Sequence, residues 1–564
     1  MPLDTLARDV VRGVTGTSRF QGRDPVLLLL AWTLEPDRWR AEPLIRIASP
    51  GLRRELGLPL DRRVFSFAEL AGHQPLMTLA GELDRRQGPG RLNPLESKVK
   101  DIMERLDTLH GVFSGEVIRP LPSDPDVQAP WSALSRPEPG TPAAPEAVMQ
   151  AWQRLAAAFL SGDQAALNAS AGELKAALDG LPTTQRPPDR TLRIELLYNR
   201  LQPFRIAWVV LAGALLLWVA AAARAARWSS AAAIAASIGG FAVLTAGLAM
   251  RWRIAGRIPA ANMYESLLFL AWGASLFAVL AAAARQDRFV SLTSALVGAV
   301  SLFLADMLPL DPFVRPIAPV LMDTVWMSIH VPGIMAAYAV LALAMLIAHT
   351  QMAVMALTPD RRRLAARLAD AHLRYLRVGT LLLGAGIVTG SMWAASSWGR
   401  YWGWDPKEVW SLIAFLAYLA ILHANLERRL PPAGYLIGGA ALTAAVLAVV
   451  QTRLSDVPAA GHWPFAAVPA VALFTLARGP FAAAAKSALA FWLVIMTYVG
   501  VNFVLGTGLH SYGFGTGAVA RYMLGLGTAD LLLVGLLAGI LAARRGLSAV
   551  LACPEPASDR PTSA

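Results

Sequence analysis

The sequence contains almost no cysteine and unusually little charge. Its single cysteine, Cys553, excludes an internal disulfide and a pair of thiols for redox exchange. The chain also lacks a Cys-x-x-Cys-His motif, the attachment site of c-type haem, so it is not itself a c-type cytochrome. Charged residues make up 16% of the chain, against about 25% in ordinary soluble proteins. With 55% hydrophobic residues and a mean hydropathy of +0.46, the composition predicts a membrane protein.

A secretory signal peptide is also missing from the start of the sequence. Residues 1–25 contain no long apolar segment, and the apolar stretch that follows them is too short to span a bilayer. Residues 1–200 are polar and follow amphipathic helical patterns, which predicts a mostly helical domain of unknown role. The alternation of the membrane spans predicted below places this domain on the extracytoplasmic side. Its histidines, His73 and His110, are isolated and indicate surface or packed positions. Because an exported domain needs a signal, we expect Met1 to be an internal start or a preceding membrane segment to be missing.

Repeated apolar runs of spanning length begin after residue 200. They predict an all-α polytopic transmembrane helix bundle of about eleven spans in residues 201–545, followed by a cytoplasmic tail at 546–564. The ninth run is short and contains two prolines, so it is either a span or a re-entrant segment. The predicted spans are 206–223, 230–250, 263–284, 289–308, 333–357, 376–393, 409–425, 433–452, 463–477, 484–505 and 528–543.

The distribution of arginine predicts how these spans cross the membrane. Six arginines lie within 358–377, which therefore faces the cytoplasm by the positive-inside rule. This rule explains the net charge of +12 better than nucleic-acid binding does, so we expect lipid contacts and no nucleic-acid partner. Alternation of the spans places the arginines between 251 and 257 outside, against the rule. The chain is therefore predicted to be a multi-pass membrane protein.

Tryptophan is concentrated in one stretch of the predicted membrane domain. Five of the 17 tryptophans fall within 18 residues, interleaved with glycines and with charges of both signs. A belt at the membrane interface normally carries about one or two such residues per helix end. The cluster offers flat faces for stacking and polar groups for orientation, which favours a planar, amphiphilic, acid-bearing ligand such as haem. Its members are Trp393, Trp398, Trp402, Trp404 and Trp410.

The sequence W-G-R-Y-W-G-W-D-P-K-E-V-W-S-L-I, residues 398–413, resembles the tryptophan-rich signature of the haem-handling proteins of cytochrome c maturation. The Lys-Glu pair after the aspartate is similar to the CcsA/ResC branch of System II. This resemblance covers about residues 200–545. It implies that the chain lies in the bacterial inner membrane as a multi-pass protein and moves haem b, as cargo, to the outer face of that membrane, where the tryptophan-rich site lies.

The resemblance also implies partners. A CcsB/ResB-type membrane protein would join the chain in attaching haem through thioether bonds to the Cys-x-x-Cys-His motif of an apocytochrome c, as a holocytochrome c synthase. Proteins that reduce the substrate's thiols would act indirectly. Two alternatives stay open from the residues alone: a haem carrier without ligase activity of its own, and an unrelated multi-span permease.

The resemblance assigns three histidines to iron. His330 and His510 match the external haem ligands of the family, and neutral imidazole is a standard axial ligand. His423 lies thirteen residues after Trp410, about 20 Å deeper at 1.5 Å per residue, and matches an intramembrane ligand. The family takes the opposite ligand of that buried site from the CcsB/ResB partner, and a packed histidine is the alternative. The histidines that match nothing and are expected to be structural are His349, His372 and His462.

The remaining motif residues have looser predicted roles. Arg400 and Lys407 are candidates for binding the haem propionates, because guanidinium and ammonium groups pair with carboxylates. Lys407 could equally bridge to Asp405 or Glu408. Asp405 belongs to the predicted haem platform with the five tryptophans, although Asp405 and Glu408 could equally cap the following helix. Glu265 either packs inside the protein or contacts the haem site or the partner. No catalytic residue is assigned.

Overall fold

The described part of the chain divides into two compact units, Met1–Arg200 and Leu201–Ala564. Each unit has its own arrangement of helices. The computed structural model describes residues 1–17, 19–85, 94–121, 131–134, 145–181, 188–224, 227–284, 288–308, 310–315, 317, 321, 324–424, 479–505 and 517–546.

The first unit is helical, with one antiparallel pair of short strands among its described residues. Its core gathers α1, α2 and α7 around the fully buried side chains of Trp32 and Phe65. The elements in order are α1 (Leu3–Thr15), a 3-10 turn (Phe20–Gly22), α2 (Pro25–Leu34), α3 (Pro36–Ala41), β1 (Pro43–Arg46), α4 (Pro50–Glu55), β2 (Val64–Ser66), α5 (Phe67–Ala71), α6 (Gln74–Arg85), α7 (Pro94–Phe113), α8 (Glu146–Ser161), α9 (Gln164–Asp179) and α10 (Asp189–Leu201).

The second unit is a bundle of long apolar helices. Their side chains are apolar all round rather than on one stripe, as expected for helices in a bilayer or a large core. The elements are α11 (Pro203–Arg224), α12 (Arg227–Ala255), α13 (Met263–Ala283), α14 (Arg288–Met307), α15 (Val325–Leu357), α16 (Arg362–Trp398), α17 (Pro406–Ala424), α18 (Pro480–Ile495), a π-helix (Met496–Leu505) and α19 (Gly517–Arg545).

Eight helices in the described residues are long and apolar enough to cross a membrane. They coincide with eight of the eleven predicted spans, and the predicted all-α polytopic fold is confirmed. The predicted span 409–425 forms most of α17, which is helical but is not among those eight. The predicted spans 433–452 and 463–477 lie outside the described residues.

Close packing of α15 against α16 depends on glycine. A Cβ on Gly379 would lie 2.6 Å from Leu341 Cδ2, and a Cβ on Gly386 would lie 2.4 Å from Ile334 Cδ1. Real side chains do not approach so closely, so only glycine allows the two helices this separation. Small residues at helix contacts are typical of membrane bundles, where van der Waals packing replaces the hydrophobic driving force. The contact brings the N-terminal end of α15 against the C-terminal half of α16.

Candidate functional site

His330 lies on the first turns of α15, and α16 holds its ring. The Nδ1 atom is 2.9 Å from the carbonyl oxygen of Gly386. A carbonyl can only accept, so Nδ1 carries the proton, and a neutral imidazole then keeps its lone pair on Nε2. Histidines that bind metals commonly donate their other N–H to a backbone carbonyl in this way, which fixes both tautomer and orientation.

Two further neighbours fix the plane of the His330 ring. The indole of Trp393 stacks on it at 5.8 Å between centroids with 20° between the planes. On α16, Gly390 leaves room for the imidazole, since a Cβ there would lie 2.8 Å from His330 Cε1. Trp393 is itself anchored, because its Nε1 donates to the carbonyl of Leu321 at 3.1 Å. The ring is therefore held from its edge and from its face.

His330 lines a cavity of about 90 Å³ between α13, α15, α16, α17 and the π-helix. The wall of this cavity also includes Trp393, Trp402, Lys407 and Glu408. Pockets that enclose a drug-sized ligand measure about 300–1,000 Å³. The walls that the described residues provide therefore fit an edge of a large planar ligand rather than all of it.

The tryptophans of the motif meet in pairs at steep angles. Trp393 and Trp398 pair at 5.2 Å between centroids, and Trp402 and Trp404 meet edge to face at 6.0 Å. Trp404 is 47% exposed and has φ of +59°, a left-handed conformation that few residues other than glycine adopt. Backbone strain of this kind is typical of ligand sites. Trp410 is fully buried in α17 and does not line the cavity.

Asp405 and Glu408 form a capping arrangement at the start of α17. Asp405 Oδ1 accepts from the backbone N–H of Lys407 at 3.1 Å, and Glu408 Oε2 accepts from the N–H groups of Asp405 at 3.2 Å and Gly403 at 2.8 Å. Such reciprocal bonds satisfy donors at a helix N-terminus. Of the two roles that the sequence leaves open for this pair, the contacts are those of capping. The cap fixes the loop that carries Trp402 and Trp404.

The two predicted propionate ligands lie in different surroundings. The guanidinium of Arg400 covers Gly403, where an added Cβ would overlap Nη1, and lies 3.9 Å from Glu408 Oε1. Lys407 lines the cavity, and its Nζ is 3.4 Å from Asn502 Oδ1. Arg400 is thus tied to the capping carboxylate, while Lys407 reaches across to the π-helix.

Glu265 lies inside an ion cluster and not on the cavity wall. Its side chain is fully buried, with Oε1 2.8 Å from Arg251 and Oε2 3.4 Å from Arg257. Both arginines also donate to carbonyls of residues 312–315. Of the two roles left open by the sequence, the contacts of Glu265 are those of packing. The predicted outside position of Arg251 and Arg257, which goes against the positive-inside rule, is compatible with these contacts, since both charges are buried and paired.

Of the other two predicted iron ligands, the described residues include His423, which is not brought to His330. His423 lies in the last turn of α17 with an exposed side chain, and its Nδ1 is 2.7 Å from the carbonyl of Leu419. It does not line the His330 cavity. His510 lies outside the described residues. The described chain thus presents His330 and His423 as two separate positions.

His349 has partners that sequence patterns did not reveal. Its Nε2 is 2.6 Å from Asp530 Oδ1 on α19, and its Nδ1 is 2.9 Å from the carbonyl of Met345. Trp492 of α18 donates to the other oxygen of Asp530 at 2.7 Å. This cluster joins three helices. The sequence signal that could have found it is the single acidic residue in the apolar run of α19, because an ionisable group inside a span requires a partner.

Comparison with known proteins assigns the chain to a family. Residues 260–451, which include His330, the tryptophan motif and His423, match the family model described as Cytochrome C assembly protein. The cytochrome c biogenesis protein CcsA of Synechococcus sp. (strain CC9902) is 34% identical over 217 residues, which cover 33% of this chain and 71% of that protein. The chain belongs to the CcsA family of cytochrome c biogenesis proteins.

A second relative is similar to almost the whole length of this chain. Protein NrfI of Wolinella succinogenes is 28% identical over 538 residues, which are 91% of this chain and 53% of NrfI. The chain therefore spans about half the length of that relative. Among solved structures, the cytochrome c haem lyase CcmF covers 65% of this chain and 58% of its own at 18% identity, with a TM-score of 0.32, which is too low to establish a shared fold.

Proposed function

We propose that this CcsA-family protein holds haem b at the extracytoplasmic face of the bacterial inner membrane and presents it to an apocytochrome c. The observation that carries the proposal is His330, whose Nδ1 is bonded to Gly386 and whose ring is stacked on Trp393 at the wall of a cavity. In that tautomer Nε2 carries the ring's lone pair, so Nε2 is the atom that would bind iron. His510 would supply the second axial ligand from the same side of the membrane.

The chemistry proposed at this site is an addition without net oxidation. Each thiol of the substrate's Cys-x-x-Cys-His motif adds across one haem vinyl group, so that sulfur bonds one vinyl carbon and hydrogen the other. The chain's part is to position the haem edge and to exclude water, which is a proximity effect rather than acid–base catalysis. A CcsB/ResB-type protein is the proposed membrane partner.

His423 fits a second role in the same proposal. Its exposed position at the end of α17 leaves it accessible from outside the described bundle. An ionisable residue on a membrane helix is a functional candidate by default. We assign it to an inner haem position whose opposite ligand comes from the partner, so that haem passes from His423 to His330.

The proposal can be tested by co-expressing the full chain with a CcsB/ResB-type partner and an apocytochrome c reporter. Wild type should yield covalent holocytochrome, and His330→Ala should yield none. His110→Ala is the matched control, because His110 is an exposed histidine of α7 in the first unit and should leave the yield unchanged.

Two other results would decide against the full proposal. Haem that co-purifies with the chain while no covalent product forms with any partner would identify a carrier without ligase activity. A colourless protein, together with equal product from wild type and His330→Ala, would remove the haem-presentation role.

A further inference from the structure

A cation and an amide meet where α17 faces the π-helix. Lys407 Nζ lies 3.4 Å from Asn502 Oδ1 and 5.1 Å from the centre of the Tyr498 ring. Tyr498 is fixed in turn by its hydroxyl, which bonds to Ser266 of α13. The ring face favours a cation above it, so the ammonium is held at the cavity wall by two neighbours from one element.

Asn502 is a buried amide whose two ends differ in the described structure. The residue is 1% exposed, and its Nδ2 has no hydrogen-bond partner among the described residues. A buried N–H donor without a hydrogen bond costs about 1–3 kcal/mol, so native proteins seldom contain one without a reason. The orphan N–H group lies on the same side chain whose oxygen holds Lys407, so an ammonium and an unused amide donor occur together.

The local backbone also marks this segment. Met496–Leu505 is a π-helix, in the same chain segment that carries Thr497 and Tyr498 into the cavity wall. π-Helical turns are rare, and they occur often at functional sites because they re-aim side chains that an α-helix would direct elsewhere. The irregular helix therefore supports a binding role for Asn502 rather than a purely structural one.

Arg400 is a weaker candidate for the same ligand. Its guanidinium lies over Gly403 and 3.9 Å from the buried Glu408, a carboxylate that already serves the helix cap. A carboxylate ligand at Arg400 would meet the charge of Glu408. Lys407 projects into the cavity, and an ammonium has three N–H donors, so it can hold Asn502 and an anionic oxygen together.

We propose that Lys407, which lines the cavity, and Asn502, which contacts Lys407 from the π-helix, form a carboxylate-binding subsite at the edge of the cavity, and that this subsite takes one propionate of the haem held at His330. The subsite rests on the proposed function. Lys407 supplies the charge, and Asn502 donates its second N–H through Nδ2. The pair would set the rotation of the haem about the iron axis, which decides which vinyl edge faces the substrate.

The test compares haem b with its dimethyl ester, in which both propionates are esterified, by titration into the detergent-purified full chain. A charge-assisted hydrogen bond is worth about 10- to 100-fold in affinity, so wild type should prefer the free acid by that factor. In Lys407→Met and Asn502→Leu the preference should fall towards unity. Asn502→Asp keeps the side-chain shape and should also remove the preference, because it places a carboxylate beside the propionate.

Two controls separate this subsite from fold defects and from Arg400. Gln351→Leu removes another buried amide, which bonds to the carbonyl of Pro480, and should keep the full preference. Arg400→Gln should keep it as well. Equal affinity of wild type for acid and ester, or a preference lost only in Arg400→Gln, would overturn the subsite. Either result would leave the His330-dependent haem spectrum, and with it the proposed function, intact.

Discussion

The two ends of α15 each carry a histidine, and their surroundings differ. His330 and His349 are separated by about 28 Å along the helix at 1.5 Å per residue. At His330, Nδ1 donates a hydrogen bond to the Gly386 carbonyl, and the ring stacks on Trp393 at the wall of a cavity. At His349 both ring nitrogens lie at hydrogen-bond distance from oxygen acceptors, one of them the Asp530 carboxylate. Iron binding at His349 would require breaking that pair, whereas iron binding at His330 Nε2 would keep the bond from Nδ1 to Gly386.

The largest expected effect comes from removing the imidazole at the cavity. Loss of a residue that only supports a metal ligand lowers metal affinity by roughly 10- to 100-fold. Because His330→Ala removes the proposed ligand itself, it should weaken haem binding by more than that. The measurement is haem retained through purification, per mole of protein. His349→Ala should retain haem and lose thermal stability instead. Equal haem loss in the two variants would erase the distinction between the two ends of α15.

A smaller effect should follow from moving the His330 ring without removing it. Gly390→Ala places a Cβ 2.8 Å from His330 Cε1, so the imidazole must shift. We expect haem affinity to fall by about 10- to 100-fold, as for other losses of ligand orientation. Gly333→Ala is the matched control on α15, because nothing lies within 4 Å of its Cβ position. Unchanged affinity in Gly390→Ala would show that the observed orientation does not matter.

The other end of α15 can be tested through stability. Asp530→Asn removes the charge from the cluster with His349 and Trp492, and should cost about 1–3 kcal/mol of unfolding free energy while leaving haem binding unchanged. Asp306→Asn is the control, because its partner Arg205 is largely exposed and such pairs contribute about 0–1 kcal/mol. Reduced haem content in Asp530→Asn would connect the cluster to the site.

The smallest expected effect concerns the wall of the cavity. Trp393→Phe keeps an aromatic ring against His330 but loses the hydrogen bond from Nε1 to the Leu321 carbonyl. A single neutral hydrogen bond is worth about 0.5–1.5 kcal/mol, so haem affinity should fall by about 10-fold or less. Titration of haem into both proteins measures this. A loss as large as in His330→Ala would show that the indole N–H, rather than ring stacking, is the main contribution of Trp393.

Much of the fold could be predicted because apolar length is a local property of the sequence. Eight predicted spans are long apolar helices, and the tryptophan motif was sufficient to indicate the family that the relatives then confirmed. The roles of Asp405 and Glu408 remained open, since a carboxylate at a helix start can cap or bind a ligand. The backbone bonds at 2.8–3.2 Å show the capping contacts.

Pairings between distant residues could not be predicted in this way. His349 and Asp530 are 181 positions apart, and nothing in either local pattern indicates the other. The burial of Arg251 and Arg257 against Glu265 is also a tertiary property, so the sequence alone left their charges in conflict with the positive-inside rule. The positive-inside rule assumes that the arginines of loops are exposed to water. The difference between His330 and His349 likewise depends on neighbours from other helices.

The most direct test of the central claim, that His330 is a haem ligand, is the absorption spectrum of the detergent-purified full chain with haem, wild type beside His330→Ala, His510→Ala and His423→Ala. Wild type should show the sharp bands of low-spin haem with two imidazole ligands. His330→Ala should lose them, and free imidazole should restore them, while His423→Ala should lower total haem without shifting the bands. An unchanged low-spin spectrum in His330→Ala without added imidazole would contradict the account.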